Sequence, residues 1–291
     1  MSVMTALADY GADQRRRCHT AASIRRTTDD IRSYLRSLPG GPFDASHLDV
    51  EVWLATRGQA ARTRYNLISS VSSFYQWAIR EERCTRDPSK RVPRPRLRRY
   101  VPRPVSNEDL AYALLVAPPL VKAWLTLMAY TGLRCQEVAG VDAGDLLWHL
   151  DPPALVVSHA KGGNERVVPL AAETEDALRA HGLPRHGPVF INQSGRPFSP
   201  ASVSARTNTY LRDVGVDATA HQLRHWFGST VYQQTLDLRA TQELLGHRSP
   251  TSTAIYTAFA PGVAGGVVRR LTVTPKQPCG GPVEAARLTA V

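Results

Sequence analysis

The sequence predicts a mainly α-helical protein with a small antiparallel β-sheet, built as a helical N-terminal domain followed by a larger α+β domain. Three observations predict this. Apolar residues recur at helical spacing through most of residues 20–82. A stretch rich in proline and arginine then breaks that pattern. Beyond it, three short apolar runs separated by turn residues sit among further helical patterns. A length of 291 residues is enough for two domains, each with its own core.

The elements follow in order. Residues 1–19 are polar and read as a disordered N-terminus. From Thr20 to Leu38 the residues Ile24, Ile31, Leu35 and Leu38 fall on one helix face, and Pro39-Gly40-Gly41 ends the run. A short helix is expected over Ser46–Ala55. A long one is expected over 60–82, with Ile68, Val71, Phe74, Tyr75 and Ala78 along its apolar side. Residues 20–90 thus make a helical domain. Residues 91–105 read as a basic linker. From Arg83 to Arg103 the chain holds eight arginines and one lysine against one acid, and Pro88, Pro93, Pro95 and Pro102 forbid a continuous helix. Arg91, Arg94, Arg96, Arg98, Arg99 and Arg103 are expected to lie along a DNA backbone.

The second domain, 106–262, opens at Ser106, with acids Glu108 and Asp109 in the first turn of a helix. Helices are expected over 107–116, 120–131 and 134–140. Strands follow at Leu146–Leu150, Leu155–His159 and Arg166–Leu170, joined by turns at Asp151-Pro152-Pro153 and Gly162-Gly163-Asn164. Helices resume over 172–181, 200–213, 221–234, 238–245 and 250–258. Residues 263–291, rich in Pro, Gly and Ala, read as a loose tail.

Composition narrows the function. A net charge of +11 and a pI of about 9.9 favour a polyanionic partner. No window holds the roughly 18 uncharged apolar residues of a membrane span. The arginines near the start follow a weak apolar stretch, the reverse of a secretory signal. A cytoplasmic protein with no membrane partner is expected. Cys18, Cys84, Cys135 and Cys279 form no CxxC pair and read as reduced thiols. No DxD or His/Glu cluster is present, so no metal and no cofactor is expected.

Five segments carry chemistry. In Tyr130-Thr131-Gly132-Leu133-Arg134-Cys135-Gln136-Glu137, a glycine turn places Arg134 between two helices, and Glu137 shares its face. Lys161 falls at the tip of the expected hairpin, where an ammonium can reach a groove and donate a proton. In His221-Gln222-Leu223-Arg224-His225, His221 and Arg224 point one way and Leu223 faces the core. In Leu244-Leu245-Gly246-His247, a glycine cap sends His247 out of the helix in a fixed direction. Tyr256 follows nine residues later among small and hydroxyl residues, which suits an accessible phenol. Each segment alone also reads as ordinary structure. Together they form one constellation for phosphoryl transfer. Guanidiniums offset charge on the phosphate oxygens, an acid protonates the leaving oxygen, and a tyrosine keeps the bond energy as an ester.

Thr131–Glu137, Lys161–Leu170 and the stretch from His221 to Tyr256 resemble the tyrosine recombinase (phage integrase) family. By motif the likeness covers about 106–260, and by domain pattern 20–100. The resemblance implies that Arg134 and Arg224 clamp the scissile phosphate and that His221 and His247 hydrogen-bond it. It implies that Lys161 protonates the leaving 5′-hydroxyl, Tyr256 forms a 3′-phosphotyrosyl link and Glu137 supports them. It also implies a helical domain that binds a core-type duplex site, a C-shaped clamp on DNA, and four protomers exchanging strands through a Holliday junction. A directionality factor is a further expected partner. Two positions depart from the family pattern. Asn164 stands where many relatives carry a second lysine, and Thr235 where a glycine is usual. The expected role is integration of phage or mobile-element DNA. Xer-type resolution of chromosome or plasmid dimers stands second. A type IB topoisomerase-like enzyme and a non-catalytic DNA-binding protein are further alternatives.

Overall fold

The computed structural model describes residues 2–57, 60–97, 103–158, 165–247 and 250–259. The chain divides into two compact units, Met1–Arg99 and Tyr100–Val291. Among the described residues no helix is long and apolar enough to cross a membrane.

The first unit is helical: α1 Val3–Arg16, α2 Ala21–Ser37, α3 His47–Ala55 and α4 Ala61–Arg80. Ser2, Thr20 and Ser46 cap the first three helices by accepting from a backbone N–H three residues on. Ser46 and Asp49 complete a reciprocal capping box. Aromatic rings fill the core, with Tyr10, Tyr34, Trp53, Phe74, Tyr75 and Trp77 all buried. Tyr10 meets Phe74 edge-on at 5.4 Å, and its hydroxyl donates to Ser73 at 2.9 Å.

Two expectations fail in this unit. Residues 1–19 are not a disordered arm: most of them form α1. Its apolar stripe, Val3, Ala6, Leu7 and Tyr10, is a single short set that does not stand out in a polar sequence. The stripe becomes stabilising when α2 and α4 offer it a core. The expected extended linker also begins too early. Pro88–Arg91 form a 3-10 turn whose cap, Asp87, is buried. Asp87 accepts from the Ser72 hydroxyl at 2.8 Å and from Ser89 N at 2.9 Å. Val92 joins the core. Arg94 lies over the Tyr65 ring at 5.3 Å and donates to Ser69 at 3.3 Å. Arg91, Arg96 and Arg103 are exposed. Arg98 and Arg99 lie outside the described residues.

The second unit contains α5 Asn107–Leu115, α6 Pro119–Tyr130 and α7 Cys135–Ala139. A three-stranded antiparallel sheet follows: β1 Leu146–Leu147, β2 Ala154–Val157 and β3 Arg166–Pro169, in that order. Then come α8 Ala172–His181, α9 Pro200–Asp213, α10 Ala220–Thr235, α11 Leu238–Leu245 and α12 Pro250–Thr253, which tightens into a 3-10 turn over Ala254–Phe259. The last expected helix therefore changes type halfway. Helix α6 is apolar on nearly every side, as a central helix must be. It packs against α8 and α10, and its Trp124 meets Phe198 edge-on at 5.0 Å. α10 ends where the family pattern is broken. Leu236, not a glycine, takes the left-handed cap with φ 54°, which costs roughly 1 kcal/mol.

Tyr10→Ala is expected to destabilise the first unit by about 3 kcal/mol, as a large aromatic truncated in a packed core. Denaturant melts monitored by tryptophan fluorescence check this. A change under 0.5 kcal/mol would mean α1 is not part of the core.

Candidate active site

The site grows from the turn after α6. Gly132 has φ 66°, and a Cβ there would collide with the Phe227 ring, so no other residue fits. The turn delivers Arg134 to the N-cap of α7, while the Gly132 carbonyl accepts from Arg224 Nη1. Glu137, at the third position of α7, reaches back to that cap. It accepts from Arg134 N and Arg134 Nη1, each at 2.8 Å.

Glu137 is not half of a surface pair. Its side chain is 1% exposed and faces three guanidiniums. Arg166 Nη1 donates to Oε1 at 3.1 Å and Nη2 to Oε2 at 2.9 Å. Arg224 Nη1 stands 3.7 Å from Oε2. Burial alone pushes the carboxyl upward. The Arg166 hydrogen bonds and charge, the Arg134 N–H and the Arg224 charge outweigh it and hold the pKa at about 2.

Arg224 lies on α10 and is itself buried; Nη2 donates to the Leu245 carbonyl at 2.6 Å. His221 is on the same face, one turn earlier. It lines, with Arg134, Gln136, Ser204 and Arg224, a cavity of about 460 Å³. Its ring stands edge-on to His225 at 4.3 Å. His225 Nδ1 is 3.1 Å from the Tyr256 hydroxyl. His247 leaves α11 through Gly246, which has φ 63° and where a Cβ would stand 2.8 Å from Arg166 Nη1. The His247 ring lies parallel to Tyr256 at 6.4 Å, and Nδ1 is 2.9 Å from the Thr253 hydroxyl. Burial, reinforced by His221 and Arg224, holds His225 down at about 4. Burial, then Arg224, Arg134 and Arg166, hold His247 at about 3. Both rings are therefore neutral at pH 7.

The structure thus gathers Arg134, Glu137, His221, Arg224, His247 and Tyr256 in one place. Lys161 lies outside the described residues. The accessible phenol expected at Tyr256 is not found: the residue is 1% exposed. It packs with Phe227 and Leu245, and Gly228 leaves it room, since a Cβ there would stand 2.5 Å from Cζ. Small neighbours in the sequence signal a tight seat rather than an open surface. Burial raises the Tyr256 pKa, and Arg224 and Arg134 partly oppose this. Sequence reasoning missed Arg166, His225 and Thr253. His225 had a signal, four residues after His221 on one helix face. Arg166 had only its place at the start of a short apolar strand. Among the described residues no group of three or more His, Cys, Asp or Glu side chains converges as a metal site.

Glu137, His225 and His247 all bind protons less readily folded than unfolded. Acidification therefore favours the unfolded chain. The loss begins near pH 6.5 through the histidines, and Glu137 adds to it below about 4.5. Unfolding free energy is expected to fall steadily from pH 7 to pH 4, and His247→Gln should flatten that fall. A flat wild-type profile would show that the two rings are not held neutral.

Comparison with known proteins agrees with this geometry. The phage integrase family model matches residues 116–262. The chain is 33% identical over 258 residues to tyrosine recombinase XerC of Pseudomonas entomophila, covering 82% of this chain and 85% of that protein. The fold resembles a lambda integrase dimer bound to a core site, with TM-score 0.70 and 18% identity over 87% of this chain and 97% of that one. It also resembles the XerH site-specific recombinase bound to a palindromic difH substrate, with TM-score 0.66 and 18% identity over 84% and 77%. A chain matched by the family model across half its length, and by XerC across four-fifths, belongs to the phage integrase family, the tyrosine recombinases that cut and rejoin DNA.

Proposed function

We propose that this recombinase cuts DNA through Tyr256 and acts in the Xer manner, resolving joined DNA copies at a specific site. The observation that carries the chemistry is the convergence of Arg134 and Arg224, braced by Glu137, beside His221, His247 and Tyr256. The two guanidiniums offset charge on the non-bridging oxygens of the scissile phosphate. His221 and His247 hydrogen-bond the same group. The Tyr256 oxygen bonds to phosphorus as the phosphorus–O5′ bond breaks. The phenol proton passes to a neighbouring imidazole, and Lys161 supplies a proton to the departing 5′-oxygen. Attack requires the buried phenol to exchange its His225 partner for the phosphate.

The Xer role is favoured by relatives that match most of the chain and bear the name XerC. Integration of phage DNA, the role expected first from the sequence, ranks second, since the likeness to lambda integrase at 18% identity speaks for the fold alone. Lambda integrase forms a tetramer bound to a Holliday junction. The same assembly, four copies on paired duplexes, would let this chain exchange strands.

The test uses nicked duplexes with randomised cores, incubated with the protein and captured as denaturation-resistant adducts. Wild type is expected to enrich one core sequence, and Tyr256→Phe to yield no adduct. An adduct with Tyr256→Phe would mean another nucleophile. Two selected sites repeated directly on one plasmid should then recombine faster than sites on separate plasmids. The reverse preference would favour integration.

Binding to the selected duplex should weaken with salt by about 0.9 log unit per log salt for each phosphate neutralised. Replacing Arg94, Arg96, Arg98 and Arg99 with serine should flatten the slope by about 2 to 3 units, because Arg94 is already engaged on Tyr65. An unchanged slope would remove these arginines from the DNA contact.

A further inference from the structure

Outside the expected constellation, the most heavily engaged charged group near the site is Arg166. It starts β3, opposite Val157 of β2. Its side chain is 8% exposed. Nε donates to the Leu244 carbonyl at 2.8 Å, at the end of α11, and the two terminal nitrogens fork onto Glu137. A guanidinium so enclosed does not itself grip DNA.

A carboxylate offers about four acceptor positions, and all four of Glu137 are occupied. Oε1 accepts from Arg134 Nη1 at 2.8 Å and Arg166 Nη1 at 3.1 Å; Oε2 accepts from Arg134 N at 2.8 Å and Arg166 Nη2 at 2.9 Å. Arg166 fills half of them. If it were absent, the nearest donor to the vacated positions would be Arg224, now held off at 3.7 Å. A buried carboxylate left half satisfied draws in whatever cation is within reach. The cations within reach are the two that face the phosphate cavity. Charge gives the same result. Three guanidiniums and one carboxylate leave a surplus of two positive charges. A phosphodiester carries one negative charge, and attack by phenolate makes two. Without Arg166 the surplus falls to one.

We propose that Arg166 is a positioning residue for strand cleavage: it saturates Glu137, so that Arg134 and Arg224 keep their charge and free donors for the scissile phosphate. The assignment rests on the cleavage reading above.

The experiment measures single-turnover adduct formation on the nicked duplex selected by the wild-type protein, with duplex affinity and thermal melts measured in parallel. Arg166→Met should slow adduct formation about 100-fold, the scale of one lost charge-stabilising group, while affinity stays within about threefold. Arg166→Met/Glu137→Gln should recover at least about tenfold of that rate, because a neutral amide no longer competes for the clamp. A structural role predicts the opposite, since a second buried change would add damage. If Arg166→Met does not fold, Arg166→Lys and Arg166→Gln serve instead. Both keep one donor toward Glu137, and only the lysine keeps the charge, so Arg166→Lys should be the faster. A double variant no faster than Arg166→Met, or Lys and Gln variants of equal rate, would overturn the assignment alone. No adduct from wild type would overturn the cleavage reading and this assignment with it.

Discussion

A carboxylate with 1% of its side chain exposed is stable only if its surroundings are built around it. Glu137 ties together the turn after α6, the first residue of β3 and the N-terminal part of α10, through Arg134, Arg166 and Arg224. Moving an ion of this size out of water costs several kcal/mol, which only close and well-directed partners offset. Two of these partners are in turn fixed by backbone carbonyls. Arg224 donates to Gly132 and Leu245, and Arg166 to Leu244. Shifting any one of these elements would leave a charge or a carbonyl unsatisfied in the interior. The rigidity that an anion-binding site needs thus comes from the cost of disturbing its own counter-charge.

The other half of the site is held by different means. His221, His225, His247 and Tyr256 form a chain of rings, with His225 bonded to the phenol and His247 parallel to it. Exclusion of water, reinforced by positive charge nearby, keeps the His225 and His247 imidazoles neutral. A neutral imidazole can accept a proton and donate one, which a protonated ring cannot. The two halves of the site are thus coupled: burial, and after it the charge of the arginine cluster, keeps these imidazoles unprotonated. The tyrosine at the end of this chain is covered. The resting site is an organised set of donors with the Tyr256 ring packed against Phe227 and Gly228 of α10.

Much of this was legible in the sequence, for a physical reason. Helices with long apolar stripes, such as α4 and α6, announce themselves by spacing. The left-handed glycines Gly132 and Gly246 mark turns that only glycine makes without strain. The order of Arg134, His221, Arg224, His247 and Tyr256 follows from their places at the ends and first turns of these helices. Less legible was anything whose stability depends on a distant partner. α1 has one short apolar stripe and needs α2 and α4 to hold it. The turn at Pro88–Arg91 needs Ser72 of α4 to hold Asp87.

By itself, then, the sequence determined the helical elements other than α1, the hairpin sheet and the set of groups suited to phosphoryl transfer, because these depend on residues near one another along the chain. Only the tertiary structure decided that Glu137 serves three arginines rather than one, that Arg166 is among them, that His225 holds the phenol, and that Tyr256 is buried rather than open. Arg166 and Glu137 are 29 residues apart, and His225 and Tyr256 are 31 apart. Local periodicity carries no information over such separations. The chain must fold before a buried charge can choose its partners.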